Sequence, residues 1–273
     1  MLKALFRGAM HRIKKFSVRD KRKISRWNRI LIKHQQLGKI NSFQFKNEKI
    51  NYVNPGEFLF GFNEIFEDEI YKIKFSVDNP FVIDCGANIG LSVLYFKMIY
   101  PKSKIIAFEP DAKNFELLQQ NIKSFNLKDV TIFQSAVWIK NGSLFFENKA
   151  SQASRIVTSI NESENYVEVN TVRLKDVLQK QKVDLLKIDI EGAEYDILKD
   201  CSDALSLVDN LFVEYHGAIN EQNKLLELLN IVVKQNFNFY ISSAAQTIQH
   251  PFLKEKSNFP FEQQLNIFCY KKP

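Results

Sequence analysis

Short apolar runs alternate with longer amphipathic stretches through most of this chain. The runs end at charged or glycine residues, as buried strands often do, and the stretches between them place apolar residues at helical spacing. The predicted strands occupy residues 81–84, 105–109, 130–134, 183–189, 211–215, 237–242 and 265–270. The predicted helices occupy residues 91–100, 112–125 and 221–235. This order predicts an α/β fold, a mostly parallel seven-stranded sheet with helices on both faces and a terminal antiparallel pair.

The first of these strands ends in a turn with several candidate binding residues. The string FVIDCGANIG at 81–90 carries Asp84, Gly86, Asn88 and Gly90 at the point where strand gives way to helix. In an open α/β sheet the ligand lies beyond the carboxyl ends of the strands. A dinucleotide site would have glycine where Asp84 stands, so that backbone N–H groups can approach a pyrophosphate. A carboxylate there repels phosphate and favours a ligand that carries positive charge.

A second acid follows the next predicted strand. Glu109 ends the run KIIAFEP, close to the position at which an acidic side chain binds ribose hydroxyls in this kind of fold. Ser135 and Ala136 end the strand after that, where the fold approaches adenine. S-adenosylmethionine carries a positive charge, an amino acid moiety and a ribose, and it is therefore the predicted cofactor.

These motifs carry a resemblance to a known family. DCGANIG and FEP resemble motifs I and II of class I methyltransferases, which have a Rossmann-like fold. KIDIEGAE at 187–194, VEYHG at 213–217 and FNEIF at 62–66 narrow the resemblance to the FkbM-type methyltransferases, over roughly residues 60 to 240. The resemblance implies O-methylation that depends on S-adenosylmethionine, often of sugars or other secondary metabolites.

The ends of the fourth and fifth strands hold the candidate catalytic residues, which are Lys187, Asp189, Glu191, Glu214 and His216. A buried lysine is costly unless it is paired, and period 2 places Lys187 and Asp189 on the same side of the strand. We therefore keep two interpretations of Lys187, either as a neutralising partner for nearby carboxylates or as part of the catalytic machinery.

Methyl transfer to an alcohol requires removal of a tightly held proton by a base or with the help of a metal. A neutral imidazole is suited to this near pH 7, so His216 or Asp189 is the predicted base. The same carboxylates could instead hold Mg²⁺, which prefers oxygen ligands. We favour the metal-free site, because Lys187 already supplies a cation to these carboxylates.

Positive charge is concentrated at the amino terminus. Residues 1–39 hold 13 of the 38 Lys and Arg residues and a single acid, whereas the remainder of the chain is net acidic. Apolar residues recur here at helical spacing, including Trp27, Ile30 and Leu31, which predicts a basic amphipathic helical arm at residues 1–50, ahead of a methyltransferase domain at 51–273. The arm either docks on anionic membrane or packs as an extension on the domain or on a partner subunit.

Composition sets the class and the expected location. A chain of 273 residues that is 45% hydrophobic can bury the core of one α/β domain. Three cysteines without CxxC spacing indicate neither a disulfide framework nor a zinc site, and no stretch reads as a transmembrane helix or a secretory signal. We expect a cytoplasmic enzyme whose arm could contact the inner face of the membrane.

Three functions remain open at this level. The leading one is O-methylation of a saccharide or another small hydroxylated metabolite. The alternatives are a nucleic-acid methyltransferase that uses the basic arm, and a cofactor-binding scaffold without catalysis. The fourth strand ends in Asp-Ile-Glu-Gly and not in the Asn/Asp-Pro-Pro-Tyr pattern of enzymes that methylate nucleobase amino groups, which disfavours the first alternative. The stretches 143–171, predicted as a β excursion or a flexible cover, and 243–262 are expected to shape the acceptor pocket.

Overall fold

A computed structural model describes residues 23–147, 156–157, 166–253 and 260–271, and the chain divides into two compact units between Ile73 and Lys74. Most of the apolar arm pattern, at residues 1–22, lies outside the described residues. The boundary expected between residues 50 and 51 falls inside a β-hairpin of the first unit. The described part of the arm therefore belongs to the same compact unit as residues 51–73.

The first unit combines one helix, a hairpin and a second helix. Its elements are α1 (Arg26–Lys33), β1 (Asn41–Phe45), β2 (Glu48–Tyr52), α2 (Pro55–Phe62) and a π-helical turn at Asn63–Glu67. The hairpin is antiparallel and turns through Lys46, which has a positive φ of 56°. Buried aromatic side chains hold the hairpin to α2, including a stacked pair of Tyr52 and Phe58 with ring centroids 4.0 Å apart.

The second unit is built on the predicted sheet. Its seven strands are β3 (Phe81–Cys85), β4 (Lys104–Phe108), β5 (Val130–Phe133), β10 (Val183–Ile188), β11 (Val208–Gly217), β12 (Phe237–Ser243) and β13 (Gln263–Lys271). They lie in the order β12-β13-β11-β10-β3-β4-β5. The pairs from β11 to β5 are parallel, and β13 is antiparallel to both of its neighbours. The predicted Rossmann-like class I fold is confirmed.

Helices connect these strands. They are α3 (Leu91–Ile99), α4 (Ala112–Ser124), α5 (Leu174–Leu178), α6 (Glu194–Asp200) and α7 (Gln222–Lys234). Three of these five, α3, α4 and α7, are those that the apolar spacing predicts. The central strands β3 and β10 are buried on both faces, which explains why their sequences are almost continuously apolar. Their carboxyl ends lie side by side, since Asp84 and Lys187 are register partners.

The excursion between β5 and β10 forms a second sheet. Its strands are β6 (Ala136–Trp138), β7 (Gly142–Glu147), β8 (Ile156–Val157) and β9 (Tyr166–Arg173), in the order β6-β9-β7-β8. This agrees with the predicted β excursion, although β6 was not anticipated as a strand. Among the described residues, no helix is both long and apolar enough to cross a bilayer.

Candidate active site

The turn after β3 brings two backbone segments into very close contact. Gly86 has a positive φ of 86°, and a Cβ atom built at this position would lie 1.8 Å from the carbonyl oxygen of Asp189. Gly90 also has a positive φ, and a Cβ there would lie 2.5 Å from the Leu118 side chain. Both glycines are therefore required by the path of the chain. The turn that should hold the cofactor touches the loop that should hold the catalytic acids.

Glu109 supports the same turn from the end of β4. Its two carboxylate oxygens accept the backbone N–H groups of Asn88 and Asp111, at 2.7 and 2.9 Å. Burial raises the pKa of Glu109 to about 7 despite these hydrogen bonds. Asn88 itself is exposed and has a positive φ of 50°, and its side chain accepts the N–H of Ile89. Each carboxylate oxygen of Glu109 keeps a lone pair that can accept a ribose hydroxyl.

Asp84 has a different environment from the one expected of a ligand-binding acid. It is fully buried, with one carboxylate oxygen 3.0 Å from the ammonium of Lys187 and the other accepting the hydroxyl of Ser92. Lys187 also donates to the carbonyl oxygen of Gly86 at 2.9 Å and lies 3.4 Å from Asp189. The lysine side chain is only 3% exposed.

This geometry favours the supporting interpretation of Lys187 over the catalytic one. Its charge neutralises Asp84, and its hydrogen bond fixes the carbonyl group of Gly86. A buried ammonium that serves two acids and a carbonyl group is poorly placed to contact an acceptor. Asp84 is buried and paired with Lys187, so the geometry favours support of the turn for Asp84 as well, and its direct contact with the cofactor stays a prediction.

The loop after β10 carries the next acids in a strained conformation. Glu191 has a positive φ of 59°, which is uncommon for a residue with a side chain, and Gly192 follows with a φ of 100°. A Cβ at Gly192 would lie 3.0 Å from the ring of Phe261. Strained residues persist where the surroundings hold them, and they are concentrated at functional sites. The loop presents the Glu191 side chain with 44% of its surface exposed.

His216, near the end of β11, lies among three carboxylates. Its Nδ1 is 3.0 Å from Glu194, and its Nε2 is 3.6 Å from Glu214 and 3.8 Å from Glu191. The imidazole is 3% exposed and also contacts the ring of Phe261, at a centroid separation of 4.9 Å. His216 is thus enclosed, while the carboxylates around its Nε2 extend toward solvent.

The charges around His216 decide its protonation state. Burial alone would lower the pKa of His216, but the hydrogen bond to Glu194 and the nearby carboxylates of Glu214 and Glu191 raise it to about 11. Three acids from two strand ends and a helix surround the ring, so this arrangement favours the protonated imidazolium at neutral pH. The geometry thus disfavours the neutral histidine base predicted from the sequence.

Two of the acids around His216 have a pKa above that of a free carboxylate. Burial, together with the negative charges of Asp189, Glu194 and Glu214, raises the pKa of Glu191 to about 7, although His216 opposes the shift. Burial and the charge of Asp189 also raise the pKa of Glu214. Glu191 combines a pKa near neutrality with an accessible side chain, which is what a general base requires.

Glu194 was not predicted as a site residue. An acid in the first turn of a helix suggests only a favourable interaction with the helix dipole. In the structure it is fully buried, and it accepts the N–H of Gly192 at 2.9 Å as well as contacting His216. The available signal was its spacing: Glu194 precedes the buried residues Ile197 and Leu198 by three and four positions, so it belongs to the inward face of α6.

The remaining predicted residues can be placed briefly. Asp189, Glu214 and His216 offer ligand atoms that all lie within 4.8 Å of one another, so these three groups could hold a metal ion. An imidazolium cannot be a metal ligand, and an ion would first have to displace the proton.

Ser135 follows β5 and is partly buried, and Ala136 is buried at the start of β6.

The structure thus brings the two groups of predicted residues to one edge of the sheet. The glycine turn and Glu109 form one side, and the acids after β10 and β11 form the other. These residues fit S-adenosylmethionine. The buried carboxylate of Glu109 has lone pairs left for ribose hydroxyls, and the turn at Gly86 has no room for a Cβ atom, which leaves its backbone uncovered. Negative charge exceeds positive charge on the catalytic side, which suits a cationic ligand.

Comparison with known proteins identifies the family. The methyltransferase FkbM domain, as a family model, matches residues 84–240, a range that includes the glycine turn and the ends of β10 and β11. Methyltransferase 1 of Beauveria bassiana is 31% identical over 202 residues, covering 64% of this chain and 81% of the relative. The 31-O-demethyl-FK506 methyltransferase FkbM of Streptomyces tacrolimicus is 26% identical over 216 residues, covering 65% of this chain and 83% of the relative.

One solved structure shows the same fold. The crystal structure of methyltransferase FkbM from Methylobacillus flagellatus superposes with a TM-score of 0.50 at 18% sequence identity. The match covers 72% of this chain and 45% of the other.

Proposed function

This chain belongs to the methyltransferase FkbM domain family and is a methyltransferase, and we propose that it transfers a methyl group from S-adenosylmethionine to a hydroxyl of a saccharide or another small metabolite. The observation that carries the proposal is the contact between the Gly86 turn and the acidic loop at Asp189. A relative named for a 31-O-demethyl substrate supports oxygen as the acceptor atom. A saccharide is the class to test first, since one relative is named a hexuronic acid methyltransferase.

The residues of the turn would bind and orient the cofactor. S-adenosylmethionine, when bound, supplies a methyl group attached to a positively charged sulfur atom, and this sulfur is a good leaving group. Glu109 accepts hydrogen bonds from the ribose hydroxyls, and its existing bonds to two backbone N–H groups fix its orientation. Gly86 and Gly90 keep the turn free of side chains, so that the backbone can approach the ligand.

The acids on the other side would remove the acceptor proton. As the acceptor oxygen gains the methyl group, the bond from that group to the cofactor sulfur would break and leave a neutral thioether, and Glu191 would take the proton of the acceptor hydroxyl. His216 stays protonated, holds Glu191 and Glu214 through its Nε2, and limits the repulsion between them. Asp189 and Glu214 accept hydrogen bonds from other acceptor hydroxyls, which favours a polyhydroxylated molecule.

The proposal includes a metal-free site and a cytoplasmic location. Lys187 and His216 already supply two positive charges to the cluster, so a divalent cation has less to neutralise than the number of carboxylates suggests. The three cysteines are unpaired and buried, which is compatible with a reducing compartment.

Identification of the acceptor is the first test. Extracts and surface glycans from cells with and without the gene are compared by mass spectrometry, and the proposal predicts molecules that differ by one methyl group. Purified enzyme with labelled S-adenosylmethionine should then methylate the unmethylated form, and the product should lose one free hydroxyl. Methylation at nitrogen or carbon would overturn the assignment of the acceptor atom.

Glu191→Gln is the test of the mechanism on that acceptor. Turnover should fall by roughly 10² to 10⁴, the usual size of general-base catalysis, with cofactor affinity unchanged. Glu221→Gln is the matched control, because Glu221 is an acid of similar exposure outside the cluster. A chelator should leave turnover unchanged. Loss of activity with the chelator, restored by Mg²⁺, would show that the site works with a metal.

A further inference from the structure

Three of the four large apolar side chains of helix α1 lie on its outer side, and only Ile32 is buried. Trp27 is 77% exposed, Leu31 is 65% exposed and Ile30 is 41% exposed. These three residues, spaced by three and four positions, form one outer surface of the helix, which we call the Trp27 face. A soluble helix normally turns this kind of surface inward, so an exposed face of this composition indicates an interaction.

The orientation of α1 is fixed by contacts on its other side. Ile32 is buried, Arg29 pairs with Glu67 and donates to Asn63 at 3.0 Å, and the N–H of Ile24 bonds to Glu67 at 3.0 Å. An ion pair and a buried isoleucine would both have to be lost to turn the Trp27 face inward. Exposure of this face is therefore set by the packing of the first unit.

The charge around the face selects one kind of partner. Residues 23–40 contain five Lys and Arg residues and no acid, and one of the five, Arg29, is already paired with Glu67 on the inner side of the helix. Two copies of the face would bring like charges together. Phosphate groups of nucleic acid would gain from the cations, but the Trp27 face offers them no hydrogen-bond donors beyond one indole N–H. An anionic bilayer satisfies both features, since its headgroups attract the cations and its interface accepts Trp, Ile and Leu.

We propose that the Trp27 face docks this protein on an anionic lipid surface, with Trp27, Ile30 and Leu31 inserted at the interface and the flanking cations against the headgroups. Tryptophan is enriched at this depth of a membrane because its ring is apolar while its N–H is polar. The proposal concerns the first unit, and it does not depend on the acceptor of the methyl group.

The chain offers its own reporter for this contact. Trp27 and Trp138 are its two tryptophans, so the full chain with Trp138→Phe leaves Trp27 as the single fluorophore. Vesicles of phosphatidylcholine with phosphatidylglycerol should shift its emission to shorter wavelength and protect it from acrylamide, and phosphatidylcholine alone should do neither. Salt should weaken the effect, as expected for attraction between exposed charges.

Vesicle sedimentation supplies the matched comparison. Trp27→Ala with Leu31→Ala should weaken partition into phosphatidylglycerol vesicles about tenfold or more, since two large apolar side chains no longer enter the interface. The control is Leu226→Ala with Val233→Ala, which removes two apolar side chains of α7 that are 58% and 47% exposed. It should leave partition unchanged.

Several results would overturn the proposal. Trp27 already shielded from acrylamide without vesicles would mean that another part of the full chain covers the face. Equal partition of the two double variants would mean that the Trp27 face is not the contact. Binding to duplex RNA with no partition into anionic vesicles would assign the basic segment to nucleic acid.

Discussion

Glu194 should control the charge of His216, and a change of one atom can test this. In Glu194→Gln the side chain keeps its shape, and the amide oxygen can still accept the Gly192 N–H and the proton on His216 Nδ1. The second carboxylate oxygen makes only a long contact with the backbone N–H of His216, at 3.4 Å, so the new NH₂ group displaces little there. The substitution therefore removes the charge and leaves most of the packing.

The size of the effect follows from the contact distance. A hydrogen bond between charged groups contributes about 1.5 kcal/mol more than a neutral one, which corresponds to about one pKa unit. Two charges about 4 Å apart at an effective dielectric constant of about 20 interact by about 4 kcal/mol, or about three units. We expect the pKa of His216 to fall by about one to three units from its value of about 11. Glu191 and Glu214 keep it above the ordinary value.

The measurement is an NMR titration of histidine labelled with ¹³C. His216→Gln identifies the His216 resonance, and the other three histidines serve as internal controls. Glu116→Gln is the matched variant, because Glu116 lies on the exposed face of α4. Stabilisation by a histidine whose pKa is raised is complete below its unfolded pKa of about 6.5 and is lost as pH rises through the folded value. Urea unfolding of the wild type between pH 7 and 11 should show that loss.

Two outcomes would refute the reasoning. A wild-type His216 that titrates near its ordinary value would mean that burial outweighs the three acids, and the neutral histidine base would return as the better mechanism. A shift in Glu194→Gln no larger than in Glu116→Gln would mean that Glu194 holds the loop without setting the charge.

Three further results are expected from the same structure. Glu109→Ala should weaken S-adenosylmethionine binding in calorimetry by about 2 kcal/mol, which is the contribution of charge-assisted hydrogen bonds. Glu116→Ala is the control, and a Glu109→Ala variant that binds the cofactor as tightly as this control would remove Glu109 from the site. Gly86→Ala should cost at least about 2 kcal/mol of stability in urea unfolding, because its Cβ would meet the Asp189 carbonyl group, and an unchanged midpoint would contradict that contact. Deleting residues 1–39 removes α1 and its buried contacts, so limited proteolysis should cut the first unit faster than in the full-length chain. Calorimetry should show unchanged cofactor binding by the second unit. A first unit that resists the protease as well as in the full-length chain would show that α1 does not support it.

The sequence was sufficient for the sheet and for the polar residues at the ends of its strands, because each depends on local pattern, but not for Glu194, which the fold brings to His216. Apolar runs that end in DCGANIG and KIDIEGAE determine both the strands and the polar residues at their ends. The β1–β2 hairpin was missed because its turn passes through Lys46 in a left-handed conformation and lacks the usual glycine. The charge of His216 could not be predicted, since it depends on acids that only the folded sheet brings together.

The pairing of Lys187 with Asp84 also bears on how the sheet assembles. The two residues are register partners on β10 and β3, which are separated by about a hundred positions in the sequence. A slip of one residue between these strands would move one charge to the opposite face and leave a carboxylate and an ammonium unpaired in the interior, a loss of several kcal/mol. Pairing between strands so distant along the chain is slow to form, so slipped registers compete with the native one for longer. The ion pair therefore disfavours slipped registers of β3 and β10, the two strands whose ends carry the glycine turn and the acidic loop.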